Sequence, residues 1–101
     1  MIDVALIEIL EADRNYVTLR VDNKTYHART TLQQAGEAMR SQPMLRISRS
    51  CIVNINHVCE VNRTLRGDFV LSLRGGATAE SSQGYRDKVR AHLEKLTFGR
   101  S

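Results

Sequence analysis

The segment Leu45-Arg46-Ile47-Ser48-Arg49-Ser50-Cys51-Ile52-Val53-Asn54 packs two arginines and two serines between apolar, strand-like pieces. A guanidinium presents paired, planar donors that match a phosphate or the edge of a guanine, which an ammonium cannot do. Serine hydroxyls are compact enough to approach a backbone phosphate closely. Arg46 and Arg49 are thus candidate forks for a nucleic acid, and Ser48 and Ser50 candidate donors beside them. An Arg-x-x-Arg pair can equally keep a strand edge soluble, and the residue types alone leave both readings open.

Other chemistries find little support. His27, His57 and His92 are scattered without metal-ligand spacing, so no metal site is expected. Glu8 and Glu11 do not form an acid–base couple by spacing alone. No Gly-rich phosphate loop or nucleophile motif occurs, so neither an enzyme nor a cofactor is expected. Cys51 and Cys59 lack CxxC spacing and sit in apolar surroundings, which reads as free structural thiols.

The elements that would position these groups are mostly short strands. Val4-Ala5-Leu6-Ile7-Glu8-Ile9-Leu10 is a β-prone run, followed by a polar, turn-like stretch at 11–15. Residues 16–21 alternate with Val17, Leu19 and Val21 on one face. Asp22-Asn23 is a turn signal, and residues 24–29 return as a partner strand, making a three-strand meander. Thr31 and Gln34 have capping-box spacing ahead of an apolar stripe of Leu32, Ala35, Gly36 and Met39, which predicts a short helix ending before Pro43. Residues 45–47, 51–53 and 58–61 read as strands, then a basic loop at 62–67. Phe69, Leu71 and Leu73 alternate before the Gly75-Gly76 turn, and a short strand surrounds Thr78. Ser81 or Ser82 can cap a last helix with Tyr85, Val89, Leu93 and Leu96 inward and Arg86, Lys88 and Arg90 outward.

The 101 residues suit one domain, and 42% apolar content is too high for a disordered chain. No apolar run nears the ~20 residues of a spanning helix, and no signal-peptide pattern is present; a cytoplasmic domain without membrane contact is expected. Net charge is +4, and twelve of the fifteen basic residues are Arg, a bias that phosphate or guanine recognition would use. A chain opening directly on a strand is expected to be a piece of a longer protein, ordered over about 4–96.

The central segment resembles the LytTR signature, in which a strand gives way to Arg-x-His/Ser-Arg-Ser, then an apolar pair and Asn. Ile7, Glu11-Ala12 and Tyr16-Val17 stand like the family's opening "I-x-x-x-E-A-x-x-x-Y-V". Thr30-Thr31-Leu32, Asn54-Ile55-Asn56-His57-Val58 and Ser82-Gln83-Gly84-Tyr85 follow in the family's order. The resemblance runs over roughly residues 4 to 96.

It implies a mainly β fold, an elongated arrangement of small antiparallel sheets with two short helices. It implies an output domain of a bacterial transcriptional regulator, binding double-stranded promoter DNA at repeated sites, with loops in successive major grooves and a minor-groove contact between. An upstream receiver or sensor domain and a dimer on DNA belong to the same expectation. Carried over by position, Asn15, Arg49 and Gln83 would read bases, with Arg49 central. Arg14, Arg46, Ser48, Ser50, Arg63, Arg66, Ser82 and Arg86 would hold phosphates, while Asn54 would bond a turn's backbone. Gln83-Gly84 departs from the family, which commonly has Arg after the serine; Gln keeps an adenine-pairing amide but loses the guanine fork. That departure sustains an alternative, a LytTR-like protein-interaction module that titrates a partner and reads DNA poorly.

Overall fold

A computed structural model describes residues 2–99, with the side chains of residues 2–95. After a 3-10 turn, Val4–Leu6, come β1 (Ile9–Asp13), β2 (Tyr16–Val21), β3 (Lys24–Ala28), α1 (Leu32–Ala38), β4 (Met44–Ser48) and β5 (Cys51–Asn54). A second 3-10 turn, Ile55–His57, leads to β6 (Val58–Arg63), β7 (Phe69–Leu73) and β8 (Thr78–Glu80); a third, Gln83–Tyr85, runs into α2 (Arg86–Gly99). The strands form a five-stranded sheet, β3-β2-β1-β5-β4, and a three-stranded sheet, β6-β7-β8, with every pairing antiparallel. The molecule measures 37 × 27 × 23 Å. The fold is therefore the mainly β arrangement of small antiparallel sheets with two helices.

The three-strand meander forms as expected. Val21 pairs with Lys24 across Asp22-Asn23, which hold φ of 51° and 72°. Two successive left-handed residues match the strand twist, and Asp and Asn tolerate that conformation better than most side chains.

The start of the chain departs from the sequence reading. Residues 4–6 turn back as a 3-10 helix because the Asp3 carboxylate accepts the Ala5 amide at 2.9 Å. The strand instead begins at Ile9 and continues through Glu11, Ala12 and Asp13, which read as turn-like. β1 lies between β2 and β5, with Glu11 opposite both Thr18 and Cys51. Ladder bonds on both sides override the weak local preference of polar residues for a turn.

Both faces of the large sheet are covered around β5, while the edge strand β3 stays exposed. Ile9, Leu45, Ile47 and Val53 face Phe69, Leu71 and Leu73 of the small sheet and Val89 of α2. Leu10, Val17 and Ile52 face the other way, against Leu32 of α1 and Met39 at its C-cap. β5 is consequently buried at all four residues, as strands covered on both sides are. α1 keeps its capping box, with the Gln34 amide donating to Thr31 Oγ1 at 3.1 Å. It lies so close to the sheet that a Cβ on Gly36 would stand 3.2 Å from Ile52 Cδ1.

The expected serine cap of the last helix is not made. Ser82 occupies the cap position of the 3-10 turn without a side-chain cap bond. The buried Ser81 hydroxyl accepts the Phe69 amide at 2.9 Å instead. Val89 is buried and Tyr85 and Leu93 half-buried against the core; the side chain of Leu96 lies outside the described residues.

Candidate nucleic-acid interface

Strand polarity sends five connections to one end of the molecule: the β1–β2 turn, the β3–α1 loop, the β4–β5 turn, the β6–β7 loop and the segment after β8. Backbone bonds tie most of them into a row. The Ala12 amide donates to Ser50 O at 2.8 Å, joining the first turn to the β4–β5 turn. The Ser82 amide donates to Ile47 O at 2.9 Å, joining that turn to the start of the Gln83–Tyr85 helix. The Ser81 amide donates to Phe69 O at 2.9 Å, which brings in the β6–β7 loop. The order along the edge is thus residues 14–15, 48–50, 82–83, then 64–68.

The β1–β2 turn has two residues, closed by Asp13 opposite Tyr16. Its left-handed residue is Arg14, with φ 58°, and not Asn15. Both side chains are exposed, so Asn15 holds its carboxamide at the tip while Arg14 carries the backbone strain.

The β4–β5 turn follows a bulge: Arg46 pairs with Ile52 but Ser48 with Cys51, so Ile47 is the extra residue. A bulge bends a strand and re-aims its side chains. Arg46 folds over the turn, donating from Nε to Ser48 O at 3.1 Å and from Nη2 to Arg49 O at 2.6 Å. Ser48 Oγ accepts the Ser50 amide at 3.2 Å. Arg46 and Ser48 therefore shape the turn. The exposed Arg49 and Ser50 side chains have no intramolecular polar partner among the described residues. Cys51 follows immediately; burial, and then the charge of Glu11, pushes its thiol up to about 12. It is no nucleophile near neutral pH. Cys59 is exposed, contrary to the apolar surroundings expected, because β6 is an edge strand.

The β6–β7 loop is also held from within. Gly67 N donates to Thr64 O at 3.0 Å, and the Asp68 amide to Thr64 Oγ1 at 3.1 Å. Arg63 lies over the Phe69 ring at 4.8 Å and donates to Gly67 O at 3.1 Å. Arg66 stays exposed at the tip. Arg86 pairs with the buried Asp68 at 3.0 Å. Ser82 is half-buried, and Gln83 and Gly84 are exposed.

All eleven candidate residues thus lie at one end, and they divide by their bonds. Among the described residues, Asn15, Arg14, Arg49, Ser50, Arg66, Ser82 and Gln83 keep side chains without a polar partner, whereas Arg46, Ser48, Arg63 and Arg86 are engaged within the fold. Arg29, which the sequence reading left out, reaches the same end at the close of β3. Its signal was the strand polarity of the meander, which sends residue 29 back to the side of residue 14. Carboxylates nearby include Glu11, Asp13, Asp68, Glu80 and Asp87, of which Asp68 is paired with Arg86 and Asp87 with Arg90.

At the opposite end, Glu8 accepts the amides of Asp22 at 2.8 Å and Gly75 at 3.2 Å, which clamps the two sheets together. The buried Asn54 donates to Ile7 O at 3.1 Å and accepts the Asn56 amide at 3.0 Å, a structural role as expected. Among the described residues, no cluster of three or more His, Cys, Asp or Glu could hold a metal, and no helix is long and apolar enough to cross a membrane.

A family model described as the LytTr DNA-binding domain matches residues 1–94. Among solved structures, the chain is similar to the LytTr DNA-binding domain of a protein from Bacillus cereus described as a methyl-accepting/DNA response regulator. The two share 25% identity with a TM-score of 0.80, over 91% of this chain and 84% of that one. No curated protein matches the chain.

Proposed function

The chain belongs to the LytTr DNA-binding domain family, and from that premise we propose that it binds double-stranded promoter DNA sequence-specifically, as the output module of a bacterial transcriptional regulator. A DNA-binding domain of this family is a recognition module and not a catalytic one. The observation that carries the proposal is the single edge on which the β1–β2 turn, the β4–β5 turn and the segment after β8 are bonded in a row with Arg49 in the middle. In this proposal the outer loops enter successive major grooves while Arg49 meets the groove between them.

In this reading Asn15 and Gln83 pair their amides with adenine edges, and Arg49 is the central reader. Arg14, Ser50, Arg66 and Ser82 hold phosphates directly. Arg46, Ser48, Arg63 and Arg86 contribute both charge and the shape of the turns they brace. Phosphate contacts supply affinity and make it salt-dependent, and base contacts supply the choice of site. Residues 1–101 act as one module of a longer regulator, with a receiver or sensor domain upstream, and pair on repeated sites.

Selection of bound sequences from a random duplex pool tests the proposal. A recovered, repeated motif supports it. A well-folded chain that enriches no duplex, even at low ionic strength, overturns it and favours the partner-titrating alternative.

A further inference from the structure

Between the Arg14-Asn15 turn and the loop at residues 29–31 lies an open hollow of about 530 Å³. Ala12, Tyr16, Val17 and Leu32 line its apolar part; Val17 and Leu32 are buried, and the exposed Ala12 and Tyr16 supply the accessible apolar surface. Arg14, Asn15 and Arg29 supply polar groups at the rim. Thr30 and Thr31 also line it, but their hydroxyls are taken up by the capping box, as donor to Gln34 Oε1 and acceptor of the Gln34 amide, each at 3.1 Å. That box stiffens one wall. The two guanidinium groups have no intramolecular partner among the described residues.

We infer that this hollow seats a sugar–phosphate unit of the duplex, with Arg29 as an anchor beside the Arg14-Asn15 turn. The inference rests on the DNA-binding reading and extends its footprint to a residue outside the family motif. An apolar floor suits the face of a deoxyribose, and two unpaired forks suit the non-bridging oxygens of the adjoining phosphate. The hollow opens to solvent and does not enclose its occupant, which fits a segment of polymer running past the turn. Because the contact is to the backbone, it strengthens binding to every sequence and holds Asn15 at the depth where its amide meets a base.

The test is a titration of labelled duplex, one carrying the selected motif and one of mixed sequence, at several salt concentrations. Arg29→Ala is expected to weaken both about five-fold and to flatten the log–log salt slope by ~0.9, the loss of one phosphate contact. Arg29→Gln, which keeps the side chain's length, is expected to do the same. Arg74→Ala, in the turn after β7 at the opposite end, should leave affinity and slope unchanged. If the Arg29 variants bind like the parent while Arg49→Ala still loses the selected site, the hollow is not a seat and the DNA reading stands. If the parent binds no duplex, that reading fails and the inference with it. Inorganic phosphate substituted for chloride at fixed ionic strength separates the remaining source. Stronger displacement of duplex from the parent than from Arg29→Ala supports a duplex seat; phosphate binding that requires Arg29 but displaces no duplex marks a free-anion site and overturns the assignment.

Discussion

The carboxylate of Glu8 occupies the space beside Gly75 where a side chain would begin: a Cβ there would stand 2.7 Å from Glu8 Oε2. Glu8 is 3% exposed, and its two oxygens accept amides from turns of different sheets. The pair is a clamp at the end of the molecule away from the candidate interface, so it separates stability from binding.

Gly75→Ala is expected to destabilise the fold by about 1–3 kcal/mol, because the carboxylate can retreat only by giving up a buried hydrogen bond. Glu8→Gln should cost a similar amount, since its NH₂ would face a backbone donor. Urea unfolding measures both. Binding to duplex per folded molecule should stay at the parent level; a loss of binding without a loss of stability would show that the clamp end meets DNA.

Arg49→Ala is expected to cost about 1–3 kcal/mol on the selected site and distinctly less on mixed duplex. Competition binding on the two duplexes measures the difference. Equal losses would reduce Arg49 to a phosphate contact.

Arg46 bonds two carbonyls of the β4–β5 turn, so Arg46→Ala should loosen the turn and weaken binding across sequences. A stability loss of about 1 kcal/mol is expected alongside. Arg46→Lys should recover little, because an ammonium does not present the planar fork that reaches both carbonyls. Complete unfolding of Arg46→Ala would make the residue structural alone.

Asp68→Asn removes the partner of Arg86. Stability is expected to fall by about 1–3 kcal/mol as the half-buried guanidinium loses its ion pair. Affinity for mixed duplex should rise several-fold at low salt, since Arg86 is released and one negative charge is gone. Unchanged affinity would remove Arg86 from the set of phosphate contacts.

Cys51 holds its proton up to about 12 against an ordinary 9.0. The folded state is then protonated between pH 9 and 12, where the unfolded chain loses the proton. Its contribution is complete below pH 9 and is lost as pH rises toward 12, at up to ~1.4 kcal/mol per pH unit. A thiol reagent at pH 8 should label the exposed Cys59 quickly and Cys51 only after unfolding, which mass spectrometry of the labelled chain reads directly. Fast labelling of Cys51 in the native state would contradict its burial.

Most of the local structure could be read from residue order, because it rests on short-range physics. The alternation of Val17, Leu19 and Val21, the Asp22-Asn23 turn, the Thr31–Gln34 capping box and the Phe69, Leu71, Leu73 face each need only a few neighbouring residues. The Leu45–Asn54 segment pointed to DNA through its resemblance to the LytTR signature, because its guanidinium and hydroxyl groups alone suit a soluble strand edge as well. Only the tertiary structure decided that Glu11, Ala12 and Asp13 lie in a strand, since ladders on both sides of β1 outweigh their polar preference. The division between free and braced arginines was hidden for a related reason. Arg46, Arg63 and Arg86 have the same chemistry as Arg49 and Arg66, and differ through carbonyls and a carboxylate that folding brings to them. The return of Arg29 to the end that holds Arg14 followed from the strand polarity of the meander, but the hollow between them did not, because the start of α1 forms part of its wall and only packing brings that helix there.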